Sequence, residues 1–133
     1  MDVSINYLAV AVAAALAFAI GGLWYSPILF ARAWMREAGV DEARLQGGNM
    51  AKIFGLAFLG SVVMALNLAF FIGDKGTLAF GLFAGAAAGI GWVAMALAIM
   101  YLFERRSMKL WLINGAYQVL ILTVMGGVIG AWR

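Results

Sequence analysis

Residues 76–103 read GTLAFGLFAGAAAGIGWVAMALAIMYLF, which is 28 consecutive residues without an Asp, Glu, Lys or Arg. A helix needs roughly 20 apolar residues to cross the hydrocarbon core of a bilayer, whereas apolar runs of about 10 to 14 residues indicate buried helices of soluble proteins. Backbone amides in lipid must be hydrogen-bonded within their own segment. The stretch therefore predicts a membrane-spanning helix.

Three further charge-free windows cover residues 3–31, 53–73 and 110–132. Across the 133 residues, 66% are hydrophobic and 11% are charged, and the mean hydropathy is +1.00. A soluble core of this size cannot bury so much apolar material. We predict a single all-α domain, residues 1–133, that is an integral membrane bundle. Its four transmembrane helices are expected at about residues 5–25, 51–72, 77–103 and 110–132.

The first window has an alternative interpretation as a cleaved signal peptide, because Ala17-Phe18-Ala19 resembles a small-residue cleavage site. The segment before it carries Asp2 and no Lys or Arg, whereas a signal peptide has a basic start. We therefore expect the first window to remain in the protein as a membrane-spanning helix.

The Ser26-Pro27 pair marks the end of the first helix. Proline lacks a backbone donor and disfavours helical geometry at the residue before it, yet it suits the first turn of a new helix. Phe30 and Trp34 then share one helical face, and two arginines share another. This pattern predicts a short interfacial helix at about residues 27–38, with Phe30 and Trp34 pointing either into the acyl boundary or against the bundle.

The basic residues indicate an orientation. Seven of the nine Lys and Arg residues lie in the first and third connections, and only two lie in the second connection and at the C-terminus. The positive-inside rule predicts that the first and third connections are cytoplasmic and that both termini are outside. Three acidic residues accompany the basic ones in the first connection, so no concentrated basic face for nucleic acid is expected.

The sequence excludes several kinds of chemistry. It contains no His and no Cys, which removes imidazole bases, thiolate nucleophiles and the usual ligands of zinc, haem and iron–sulfur centres. All six carboxylates lie outside the apolar windows or at their edges, whereas proton relays need ionisable groups inside the membrane. We predict no catalytic residue, metal or cofactor, and we expect that the protein is not an enzyme.

Glycines recur every four residues in the last two apolar windows. Small residues at this spacing let helix backbones approach closely in lipid, where no hydrophobic effect drives helices together. The predicted packing residues are Gly81, Gly85, Gly89, Gly126 and Gly130. Two alternatives stay open, since these glycines can pack helices within one protomer or between the copies of a homo-oligomer.

Polar and aromatic residues inside the windows indicate a candidate binding site. Asn114 and Gln118 share one helical face, in the same leaflet as the end of the first helix. Trp92 lies near mid-bilayer, where its indole N–H needs a partner such as Ser61 or Gln118. The predicted ligand-binding residues are Trp24, Tyr25, Ser26, Trp92, Asn114 and Gln118. The alternative is that these groups only make interhelical hydrogen bonds.

Several of these residues carry a family resemblance. Gly22-Leu23-Trp24-Tyr25-Ser26-Pro27 is followed by Phe30 and Trp34, by Trp92 in a glycine-rich third window, and by Ile113-Asn114-Gly115-Ala116-Tyr117. In these features the chain resembles the bacterial membrane family catalogued as domain of unknown function 1761. The resemblance implies four helices in a bacterial inner membrane, and it implies no activity.

Two functions from different classes follow, of which the first is the main prediction and the second its alternative. The packing glycines favour a structural or accessory protein that lies in the bilayer and self-associates or joins a larger membrane complex. The polar inner-leaflet residues favour instead a channel, or a binder of a small neutral or lipidic ligand.

Overall fold

The computed structural model describes residues 5–41, 43, 47–74 and 76–132. Within these residues it contains five helices. Four are long and apolar enough to cross a membrane, namely α1 (Tyr7–Trp24), α3 (Met50–Ile72), α4 (Leu78–Phe103) and α5 (Met108–Ala131). The short helix α2 (Ala31–Ala38) follows α1. The prediction of an all-α fold with four membrane-spanning helices and a short helix after the first is confirmed, and the chain is a multi-pass membrane protein.

Each of the four spans begins at a polar capping residue. The side-chain oxygen of this residue accepts a hydrogen bond from the backbone N–H three residues further on, which satisfies one of the free donors of the first turn. The caps are Asn6, Asn49, Thr77 and Ser107.

The chain turns between α1 and α2 through residues 25–30. Ser26 donates its hydroxyl to the carbonyl of Leu23 (2.6 Å), and the Phe30 N–H donates to the carbonyl of Trp24 (3.0 Å). These bonds satisfy carbonyls that the end of α1 leaves free. Because the turn uses residues 27–30, α2 begins at Ala31 rather than near the predicted residue 27.

Helix α5 is the centre of the bundle, since it packs against each of the other four helices. Its buried face supplies Ile121, Leu122, Met125 and Ile129 to the core, and Met125 is completely buried. Alanines of α1 and α3 pack against this face. The core is therefore built from small residues on the outer helices around large apolar residues of α5.

The interface between α4 and α5 brings two backbones into contact. A Cβ atom placed on Gly85 would lie 2.6 Å from the carbonyl carbon of Leu122, and one on Gly89 would lie 2.8 Å from Cα of Val119. Gly81 faces Gly126 and Gly130 in the same way. The five predicted packing glycines thus lie between two helices of one chain.

Helix α4 contains a π-helical segment, Gly89–Ala94. Before this segment Gly81, Gly85 and Gly89 repeat every four residues towards α5, and the next buried residue is Ala94, five residues on. The wide turn rotates the rest of α4, and no residue of Met95–Phe103 is buried. Trp111 of α5 donates its indole N–H to the carbonyl of Ala94 (2.8 Å). This geometry leaves room between the last turns of α4 and its neighbours.

The bundle has two distinct ends. The end that carries Ile5 and Trp132 is called here the terminal end. It contains a cavity of about 340 Å³, whose lining includes Ile5, Asn6, Gly73, Asp74 and Trp132. The opposite end, called here the basic end, carries every Lys and Arg of the described residues, namely Arg32, Arg36, Lys52, Arg105, Arg106 and Lys109. Arg44, Lys75 and Arg133, which enter the charge count of the sequence, lie outside the described residues.

Candidate functional site

Aromatic rings fasten α2 to the basic end of the bundle. The rings of Trp24 and Phe30 lie 4.6 Å apart between centroids, and Trp34 meets Tyr25 edge-on at 5.8 Å. Tyr25 also meets Tyr117 of α5 at 5.2 Å. Edge-to-face pairs of this kind contribute about 0.5–1.5 kcal/mol beyond their buried area. Phe30 and Trp34 therefore hold α2 against the end of α1, and Tyr25 continues the contact to α5.

Asn114 joins three helix ends through its side-chain amide. The Tyr25 hydroxyl donates to Oδ1 of Asn114 (2.7 Å), and Nδ2 of Asn114 donates to the Tyr101 hydroxyl (2.9 Å). We call these three residues the Asn114 clasp. An amide without partners is costly in an apolar environment, so the two tyrosines make this position suitable for asparagine. The clasp ties the ends of α1 and α4 to α5.

A second polar contact links α2 to α5. The Ser107 hydroxyl donates to Oε1 of Glu37 (2.6 Å) and accepts from the N–H of Leu110 (3.0 Å). Ser107 is thus both the cap of α5 and the partner of α2. The end of α2 is held at a fixed place beside the start of α5.

The structure brings only part of the predicted site together. Trp24 donates its indole N–H to the carbonyl of Ile113 (3.0 Å), beside the Asn114 clasp, and the Ser26 hydroxyl is used within its own turn. Gln118 lies one turn further along α5, and its amide makes no hydrogen bond within the described residues. Trp24, Tyr25 and Asn114 form one cluster, but their polar groups are used to hold helices.

Trp92 does not belong to this cluster. It is 74% exposed on the outside of α4, and Ser61, one of its predicted partners, donates instead to the carbonyl of Ala57 (3.1 Å). The stripe of Gly81, Gly85 and Gly89 faces α5, and Trp92 follows it in the π-helical segment on a different side. The expectation that its indole needs an interhelical partner is wrong for this reason.

A cleft of about 400 Å³ opens at the basic end between α2, the last turns of α4 and the start of α5. Its lining combines apolar, aromatic and charged side chains. These residues are Trp34, Ala38, Val40, Leu97, Met100, Tyr101, Glu104, Arg106, Leu110 and Asn114. The Asn114 clasp contributes two members, so it forms part of the cleft wall. Met100 is 52% exposed, so the apolar side of the cleft is open towards the outside of the bundle.

An ion pair forms the rim of the cleft. Nε of Arg106 donates to Oε1 of Glu104 (2.6 Å), and the guanidinium lies 5.8 Å from the ring centroid of Tyr101. The hydrogen bond to Glu104 raises the pKa of Arg106 above its ordinary value. The two side chains are 40% and 45% exposed, and solvent screening makes such a pair contribute little to stability. The pair is therefore relevant to the cleft because it places two opposite charges at the rim, and its contribution to the stability of the fold is small.

Sequence reasoning missed several residues of this site, and four of them with polar side chains are Glu37, Tyr101, Arg106 and Ser107. Tyr101 ends an apolar run and had the signal of an interfacial aromatic residue. Its pairing with Asn114 depends on how two antiparallel helices align, which residue spacing within either helix does not reveal. The other three are charged or polar residues in connections, where a sequence gives no contact partners.

Comparison with curated proteins and with solved structures returned no match. The comparison with protein families returned a match over residues 8–130, a range that covers the cleft and all but the first residue of α1 and the last residue of α5. The chain therefore belongs to the family described as Protein of unknown function (DUF1761).

Proposed function

We propose that this membrane protein binds an amphipathic molecule from the bilayer, a lipid or a small lipid-like compound, in the cleft at its basic end. The observation that carries the proposal is the lining of the cleft. An apolar wall containing Leu97 and Met100 leads to a rim formed by Glu104 and Arg106. Binding sites for small molecules combine apolar walls with a few placed polar groups, and this cleft has both.

The interior of the bundle supports binding rather than conduction. A channel needs polar groups or water along its whole length. Between the cleft and the terminal end, the core consists of apolar residues such as Ala17, Ile121 and Met125. No polar or charged residue is buried in the part of the chain that the structure describes. We therefore infer a site that does not continue through the bundle to the terminal end.

A second candidate is the accessory role, in which the protein associates with itself or with a larger membrane complex. Residues 51–60 of α3 are all exposed, and a Cβ atom on Gly55 or Gly60 would meet nothing within 4 Å. Small residues on an uncovered face allow another helix to approach closely. The glycines between α4 and α5 support no such contact, because they already face each other.

We further propose that the basic end faces the cytoplasm of a bacterial cell and that the terminal end lies outside. A reporter enzyme that is active only outside the cytoplasm should be active when it is fused after residue 133. The same reporter fused after residue 48, in the first connection, should be inactive. The reason is the excess of Lys and Arg, seven against two, on one side of the membrane. The reverse pair of activities would contradict this orientation.

The binding proposal is tested by cross-linking in vesicles. The full-length protein is reconstituted with a phospholipid that carries a diazirine next to its headgroup, irradiated and digested, and the adducts are located by mass spectrometry. We expect adducts to concentrate at residues 34–40 and 97–106, which line the cleft. Residues 51–60 of α3 report general lipid contact, because they are exposed without lining the cleft. Equal adduct yields in the two regions would contradict the proposal.

A further inference from the structure

We propose that the occupant of the cleft is a phospholipid whose headgroup carries both a phosphate and a primary ammonium group. The phosphate lies on Arg106, the ammonium on Glu104, and an acyl chain along Leu97 and Met100. This inference rests on the proposed binding of an amphipathic molecule, and it adds the chemical class of the headgroup.

Arg106 has donors to spare for a phosphate. Only Nε is used, in the bond to Glu104, and the terminal nitrogens of the guanidinium make no hydrogen bond within the described residues. The Tyr101 ring lies beneath the guanidinium, with its centroid 5.8 Å from Cζ of Arg106. A guanidinium presents paired N–H groups that match two phosphate oxygens, which a lysine ammonium cannot do.

Glu104 makes the rim selective for a headgroup that also carries a positive charge. Its Oε1 accepts from Arg106, and its other carboxylate oxygen has no partner within the described residues. A primary ammonium group has three donors and suits this oxygen. A headgroup with a phosphate and no ammonium group would place a second negative charge beside Glu104, and no positive group of the headgroup would balance it. The neutral pair of rim charges is therefore complementary to a zwitterionic headgroup.

The backbone at the end of α4 sets the position of this pair. Arg105 has a φ of 62°, in the left-handed region where glycine is usual, and the Arg106 N–H donates to the carbonyl of Tyr101 (2.9 Å). The chain therefore folds back over the helix end and places Arg106 above Tyr101. An unfavourable backbone conformation held by a residue other than glycine is frequent at functional sites.

The depth of the cleft suits a lipid oriented along the bundle. Leu97 precedes Glu104 by seven residues, which corresponds to about 10 Å along a helix axis. The charged pair thus lies at the end of α4, and the apolar wall extends from it towards the bundle centre. A phospholipid has the same order of groups, with its charges at the surface and its chains below.

The test is competition for the cross-link in the same vesicles. The photoactivatable phospholipid carries an ethanolamine headgroup, and the competitors are phosphatidylethanolamine, phosphatidylglycerol and diacylglycerol. We expect phosphatidylethanolamine to compete about three- to fivefold better than phosphatidylglycerol, a modest factor because the rim is half exposed. Glu104→Gln should remove this preference. Arg106→Gln should weaken competition by both phospholipids, so that they compete little better than diacylglycerol. Arg32→Gln is the matched control, because Arg32 is exposed at the same end of the bundle without lining the cleft, and it should behave as wild type.

The outcomes separate this inference from the binding proposal. Equal competition by all three lipids at an adduct that still maps to the cleft would overturn the headgroup inference and leave binding intact. Adducts that avoid the cleft would overturn the binding proposal itself. Soluble O-phosphoethanolamine is the last arm of the experiment. If it competes as well as the lipid does, the cleft recognises a free headgroup and the assignment to a phospholipid is wrong.

Discussion

Replacing Gly85 by leucine is expected to lower the melting temperature in detergent by about 10 °C or more. At this position even a Cβ atom would lie 2.6 Å from the carbonyl carbon of Leu122 and 2.9 Å from Cα of Thr123. These are backbone atoms of α5, which cannot rotate away as a side chain can. The two helices must separate, and α5 loses its closest neighbour. Overpacking a core costs about 1–3 kcal/mol and more where backbones collide.

Gly91→Leu is the matched control on the same helix. A Cβ atom on Gly91 meets nothing within 4 Å, so the added side chain points to the outside of the bundle. We expect its melting temperature to stay within about 2 °C of the wild-type value, since surface changes rarely exceed 0.5 kcal/mol. If Gly85→Leu had the same melting temperature as Gly91→Leu, the contact between α4 and α5 would not depend on the glycines.

Asn114→Leu is expected to destabilise the protein by about 1–3 kcal/mol, which is the second largest effect. The change removes the partners of two tyrosine hydroxyls, Tyr25 on α1 and Tyr101 on α4. Both hydroxyls are then left without a hydrogen bond in an apolar environment, and the ends of both helices lose their link to α5. Thermal unfolding in detergent, followed by circular dichroism, measures the effect.

Gln118→Leu tests whether any loss of an amide has the same consequence. Gln118 lies one turn from Asn114 on α5, but its amide makes no hydrogen bond within the described residues. We expect this variant to be as stable as the wild type or more stable, because no partner is left unsatisfied. Equal losses in the two variants would show that the Asn114 clasp contributes nothing specific.

The number of spans could be predicted from the sequence because the bilayer imposes it. Long charge-free windows must be helical in lipid, and charged residues must lie outside them. The start of α2 was predicted less well. Pro27 correctly indicated a break, but the length of the following turn depends on hydrogen bonds from Ser26 and Phe30 to the end of α1. Sequence pattern does not contain that information.

The candidate site was predicted in part, because the sequence shows the chemistry and depth of its residues but not their contacts between helices. Asn114 and Tyr25 had the right chemistry at the right depth, and the structure joins them. The partner expected for Trp92 rested on its depth in the membrane, and depth does not show which side of a helix a residue occupies; Trp92 lies exposed on the outside of α4. Tyr101 was missed because its partner lies on another helix. Contacts across helices depend on alignment, which a single sequence does not show.

The central claim is that the cleft holds a molecule from the bilayer, and filling the cleft tests it most directly. Leu97→Trp places a large side chain in the apolar wall below the rim, and the cross-linking experiment in vesicles is repeated with this variant. We predict that adducts at residues 34–40 and 97–106 are largely lost, while those at residues 51–60 are unchanged. Unchanged adducts in both regions, from a variant that melts as the wild type does, would contradict binding in the cleft.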